Sequence, residues 1–80
     1  MKADLLAKRQ KAAQREFDGF DFGAEAWTSG TWDANIQNAL TCTACTESSE
    51  GQRTLMFRVH FLPDSCEVRD IEVAERLLVV

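Results

Sequence analysis

Apolar and polar residues alternate most regularly between Leu55 and Phe61. Leu55, Phe57, Val59 and Phe61 take every second place, and Met56, Arg58 and His60 fill the gaps. A period of two is that of a strand with one face buried, so this run predicts a strand of a sheet. Leu62-Pro63-Asp64-Ser65 follows as a turn, since proline already holds the φ that the first corner needs. Glu67 to Val73 predicts another strand, in which Val68 and Ile71 differ in parity and imply a bulge or a break. The tail from Ala74 to Val80 either completes that strand or starts a short helix. Upstream, Glu47 to Gln52 is a turn by composition, and the threonine- and cysteine-rich run from Leu40 to Thr46 favours strand. Trp32, Ile36 and Leu40 fit both a helix capped by Thr31 and a strand, so residues 32–40 stay open between the two.

The pattern at the N-terminus is different. From Ala3 to about Phe17 the chain uses Ala, Leu, Lys, Arg, Gln and Glu without Gly or Pro, all good helix formers. Leu6, Ala13 and Phe17 recur at helical spacing, flanked by Leu5 and Ala12, while Lys8, Lys11 and Arg15 lie toward the other side. Asp4 and Arg15 suit the two ends of the helix dipole, and Gly19 supplies a stop. Phe17 to Thr31 contains Gly19, Gly23 and Gly30 and has no period, yet Phe20, Phe22 and Trp27 are too apolar for a free linker. This segment reads as an ordered cover whose rings plug the edge of a core.

These elements predict one α+β domain. An amphipathic basic helix (1–18) packs on a three- to four-stranded antiparallel meander (32–80), joined by an acidic aromatic loop (19–31). Connections this short favour sequential strands as neighbours. Eighty residues hold a single core. A small sheet must protect its free edges, and pairing with a second copy into a homodimer is one way to do so.

Charge adds a second layer. Residues 1–15 carry five bases and one acid, residues 16–51 seven acids and no base, and residues 52–80 four arginines and five acids. The net charge of −4 therefore combines a basic end with an acidic middle. No apolar run has the roughly 20 residues of a membrane span, and the first residues lack the apolar stretch of a signal peptide. The expectation is a cytoplasmic protein without a membrane partner. Three cysteines, an odd number, read in that setting as reduced thiols.

Candidate chemistry is sparse. Cys42, Cys45, His60 and Cys66 are the residue types of a zinc site, which needs four donors in a tetrahedron. On a strand, however, Cys42 and Cys45 face opposite ways, so core or surface thiols are expected and no metal or cofactor is predicted. The Cys42-Thr43-Ala44-Cys45 pair has no helix following it to lower a thiol pKa, which argues against a redox motif. With one histidine, no tyrosine and no phosphate-binding glycine loop, the chain is not expected to be an enzyme. Lys8, Arg9, Lys11 and Arg15 could touch phosphates, but a sequence pI near 4.8 points away from direct nucleic-acid binding.

What remains is the acidic segment with its aromatic residues. Asp18, Asp21, Phe22, Glu25, Trp27, Trp32 and Asp33 make up a candidate surface for a protein partner with a basic face. Aromatics anchor interfaces, and opposite charge speeds and orients encounter. By size and charge alone the chain is similar in type to the small inhibitors of phages and other mobile elements, such as anti-CRISPR and anti-restriction proteins. The expected function is an acidic interaction module that occupies a partner's nucleic-acid groove. The alternatives are a zinc-stabilised or self-associating module and a nucleic-acid accessory protein using the basic helix.

Overall fold

The structure is a computed structural model that describes residues 3–23, 25–48 and 51–78. A helix, α1 (Ala3–Gly19), precedes four strands, β1 (Thr28–Ile36), β2 (Ala39–Ser48), β3 (Gly51–Phe61) and β4 (Val68–Leu78). The strands form one antiparallel sheet in the order β1-β2-β3-β4. The expected helix-on-meander architecture is therefore present, with four strands. Two boundaries move. Residues 32–40 are strand and turn, not helix, and the sheet starts at Thr28, which shortens the aromatic loop. The expected turn at Glu47–Gln52 narrows as well: Ser48 pairs with Gly51, and Ser49 and Glu50 lie outside the described residues.

Register explains how the core is assembled. Cys42 faces Phe57, which faces Val73, and Leu40 faces Val59, which faces Ile71. Opposed residues share a sheet face, so these rows form one apolar surface. Ala13 and Phe17 of α1 pack onto it, together with Leu6 and Ala12. The opposite face carries Thr41, Thr43, Met56, Arg58, His60 and Glu72, and no described helix lies over it. The parity mismatch of Val68 and Ile71 is resolved by a bulge: His60 faces Asp70 and Phe61 faces Val68, so Arg69 is the extra residue. The tail continues β4 as far as Leu78.

Turn chemistry sets the connections. Ser65 N donates to Leu62 O at 3.2 Å, closing the turn around Pro63, and Asp64 occupies its second corner at φ 54°. Asn38, the last residue before β2, takes φ 63°. Aspartate and asparagine tolerate this left-handed region better than most residues. In β1 the register shifts between Ser29 and Trp32, where a β-carbon on Gly30 would stand 3.0 Å from the Thr43 carbonyl oxygen. Glycine is needed there for that close approach.

Arg9 does not belong to the basic face. It is spaced three residues from Leu6 and four from Ala13, inside the buried stripe, and is 1% exposed. Its Nε donates to Ser65 O at 2.6 Å, and its Nη2 to Leu62 O at 3.0 Å and to Asn38 Oδ1 at 3.3 Å. The guanidinium also lies 5.0 Å from the centre of the Phe61 ring. One side chain thus ties the helix to both turns at that end of the sheet. Lys8, Lys11 and Arg15 stay exposed, so the surface available for phosphates is one arginine poorer than the sequence suggested.

Candidate functional site

The acidic aromatic segment starts where α1 ends. Phe20 N donates to Phe17 O at 3.2 Å, tightening the last turn, and the chain then crosses the uncovered part of the apolar sheet face. Phe57, fully buried, is the hub of that region. The rings of Phe17, Phe20, Phe22 and Trp32 lie 5.3, 5.4, 5.8 and 6.0 Å from its centre, all steeply tilted. Edge-to-face geometry of this kind is favoured by the ring quadrupoles. The loop is ordered because its rings supply the covering layer that a 17-residue helix does not reach.

The candidate residues divide into two groups. Asp18 and Asp21 are exposed; Asp18 Oδ1 accepts from Gln14 Nε2 at 2.9 Å, and Asp21 Oδ1 from Gly23 N at 2.9 Å. Both donors are neutral, so neither carboxylate meets a base among the described residues. Phe20 stands between them in sequence and is 40% exposed. Phe22, Trp27 and Trp32, in contrast, turn inward against the core and are half-buried. Trp32 Nε1 donates to Gln14 Oε1 at 2.9 Å. Asp33 is exposed but opposes Thr41, which places it on the polar sheet face, away from Trp32 opposite Cys42.

Glu25 is not a free acid. Arg53 of β3 binds Glu25 and Glu75 and lies 5.6 Å from the centre of the Trp27 ring. A gap in positive charge along the sequence is therefore not a gap in space. Antiparallel pairing returns β3 beside the acidic loop and brings Arg53 with it. The structure leaves Asp18, Phe20 and Asp21, close together in the chain, exposed, and it withdraws Glu25, Phe22, Trp27 and Trp32 into internal contacts. Phe20 was outside the expected set. Its place between two aspartates was visible in the sequence, but its exposure was not.

The polar sheet face holds a second group of side chains. Arg58 Nε donates to Thr41 Oγ1 at 3.0 Å, and Thr41 Oγ1 donates to Asn35 Oδ1 at 3.0 Å. Glu72 contacts His60 Nε2 and Arg58 Nη1. This network covers Thr41, which is 5% exposed although it lies on the open face. His60 and Arg58 share that face, as their alternation with Phe57, Val59 and Phe61 implies.

The zinc alternative loses its geometry. Cys42 is buried on the helix side, Cys45 lies on the polar face, and Cys66 is exposed in the segment between β3 and β4. Among the described residues no three His, Cys, Asp or Glu side chains come together as metal donors. Burial pushes the Cys42 thiol up to about 11. A thiol reagent at mildly alkaline pH should therefore modify Cys66 first and reach Cys42 only on unfolding, as mass spectrometry of time points would report. The same shift has a sign for stability. An unfolded thiol ionises near 9 while the folded one stays neutral, so Cys42 removes stability as the pH rises from about 9 to about 11. Rapid modification of all three thiols in the folded protein would contradict this placement.

No described helix is long and apolar enough to cross a membrane. The chain matches no protein-family model, no curated protein and no solved structure.

Proposed function

We propose that this protein is a small acidic interaction module of the inhibitor type, which docks on a basic, nucleic-acid-binding groove of a partner protein in the cytoplasm. The observation that carries this reading is the Asp18–Phe20–Asp21 stretch. Two exposed carboxylates, neither of them in an ion pair among the described residues, flank a phenylalanine that is 40% exposed on an otherwise well-packed aromatic cluster. An aromatic anchor with a charged rim is the common composition of an interface centre. Asp33, exposed on the polar face, and the net charge of −4 add to the field that a basic groove would meet. Such an inhibitor works by occupying arginines and lysines that phosphates would otherwise neutralise. The comparison with phage and mobile-element inhibitors is part of this proposal and rests on size and charge.

The test uses a variant that keeps the local hydrogen bonds. Asp18→Asn with Asp21→Asn removes two charges but retains the oxygens that accept from Gln14 and Gly23. Pull-downs from a bacterial lysate with wild type and variant, at low and high salt, should give a nucleic-acid-handling protein. That protein should be lost as salt rises and weakened by the double variant. Equal capture by both proteins, or capture indifferent to salt, would sink the proposal.

A further inference from the structure

Among the described residues each outer strand of the sheet is paired on one side only, but the two open edges differ. β1 has register shifts at two places within nine residues, which break its line of backbone groups. β4 has one, at Arg69, and runs without interruption from Asp70 to Leu78. An uninterrupted edge is a template for another strand. The helix packs over β2 and β3 and leaves the β4 side of the apolar face open: Ile71 is half-buried and Val73 is 42% exposed. On the polar face of the same strand, the side chains of Asp70 and Arg76 make no hydrogen bond or ion pair among the described residues.

We propose that β4 pairs antiparallel with β4 of a second copy, in the register that sets Val73 opposite Val73 of that copy. A two-fold axis perpendicular to the sheet keeps the helix-covered face of one copy level with that of the other. It also requires one β4 residue to oppose its own counterpart. With the axis at Val73, direct pairs run from Asp70 to Arg76, short of the bulge at Arg69, and each Asp70 stands opposite Arg76 of the other copy. The two unpartnered charges thus find each other twice, and the two exposed valines meet on the apolar side. With the axis at Glu72, that acid opposes itself. With the axis at Ala74 the bulge-free overlap runs from Asp70 to Leu78, but Arg76 opposes Glu72, which Arg58 and His60 already hold, and Asp70 meets no opposite charge. Opposite charges directly across a strand pair stabilise it and like charges destabilise it, so the Val73 register is selected. The result is a continuous eight-stranded sheet with both helices on one side, and the acidic aromatic loops stay free. This pairing does not depend on the function proposed above.

Sedimentation equilibrium on the full chain over a concentration series tests the proposal. Wild type should pass from 9.0 kDa to twice that mass. Asp70→Arg alone, or Arg76→Asp alone, sets like charges opposite each other at two places and should weaken dimerisation by about tenfold or more. The double variant Asp70→Arg with Arg76→Asp restores opposite charges and should recover the dimer. Circular dichroism checks that all three variants fold, which is expected because neither side chain is bonded to another described residue. A monomer at every concentration overturns the proposal, as do a dimer indifferent to the single variants and a double variant that fails to recover.

Discussion

Replacing Phe57 by alanine is expected to remove a large share of the stability of this protein. Phe57 is fully buried, and four aromatic rings pack against it within about 6 Å. Phenylalanine-to-alanine changes in a core cost about 3–5 kcal/mol, because the lost transfer energy is joined by an unfilled cavity. Here the cavity would open under a loop whose order depends on that ring, so partial collapse offers little relief. At roughly 0.05–0.15 kcal/mol per residue, an 80-residue domain has about 4–12 kcal/mol in total. Urea unfolding followed by tryptophan fluorescence should show a large drop in midpoint, and Phe57→Leu a much smaller one. A loss below about 1 kcal/mol for the alanine variant would mean that the rings do not form a single packed cluster. The prediction also bears on the proposed function, since Phe20, the exposed ring proposed as its anchor, rests on Phe57.

Arg9→Ala should be the second most damaging single change, at about 2–4 kcal/mol. The substitution deletes a buried stem packed on Phe61 and removes the donors that serve Ser65 O, Leu62 O and Asn38 Oδ1. Leu62 O keeps its bond from Ser65 N, whereas Ser65 O loses its donor. Arg9→Lys should recover only part of the loss. An ammonium on a flexible stem cannot reproduce a planar fork that reaches two turns at once. Thermal unfolding of wild type and the two variants ranks them directly. If the Arg9→Lys variant kept full stability, the interaction would be one of charge alone, and the geometric argument would fall. Arg9 Nη1 is buried without a partner among the described residues, so the guanidinium is held by its neighbours and not by a carboxylate.

Much of the fold was legible because the relevant signals are local. The alternation from Leu55 to Phe61 gives a strand whatever surrounds it, and the parity change between Val68 and Ile71 requires an extra residue, found at Arg69. The helix followed from residue propensity and from Leu6, Ala13 and Phe17, and Arg9 falls on the same stripe. A helical projection that included polar residues would have marked it as buried. Residues 32–40 were ambiguous because Trp32, Ile36 and Leu40 satisfy periods of both two and four. Pairing with β2 decided for strand, with Asn38 at φ 63° making the turn.

The candidate site was less legible, for a different reason. Charge counted along the chain placed seven acids in a stretch without a base, and that count is correct. Whether those acids stay free depends on which distant residues fold back beside them. Arg53 returns to Glu25 across 28 positions, while Asp18 and Asp21 meet only uncharged donors. The aromatic residues show the same dependence. All of them could be assigned to a core or to an interface, and the fold left Phe20 at the surface while Phe22 and Trp32 closed over Phe57 and Trp27 packed beside Phe22.

The sequence alone determined the N-terminal helix, the strand at Leu55 to Phe61 with its apolar face, and the uneven distribution of charge, since each is set by neighbours within a few residues. The tertiary structure decided which charges are cancelled, which rings face outward, which cysteine is sealed in the core and which sheet edge remains open. Those outcomes depend on contacts between segments far apart in the chain, and no local pattern carries that information.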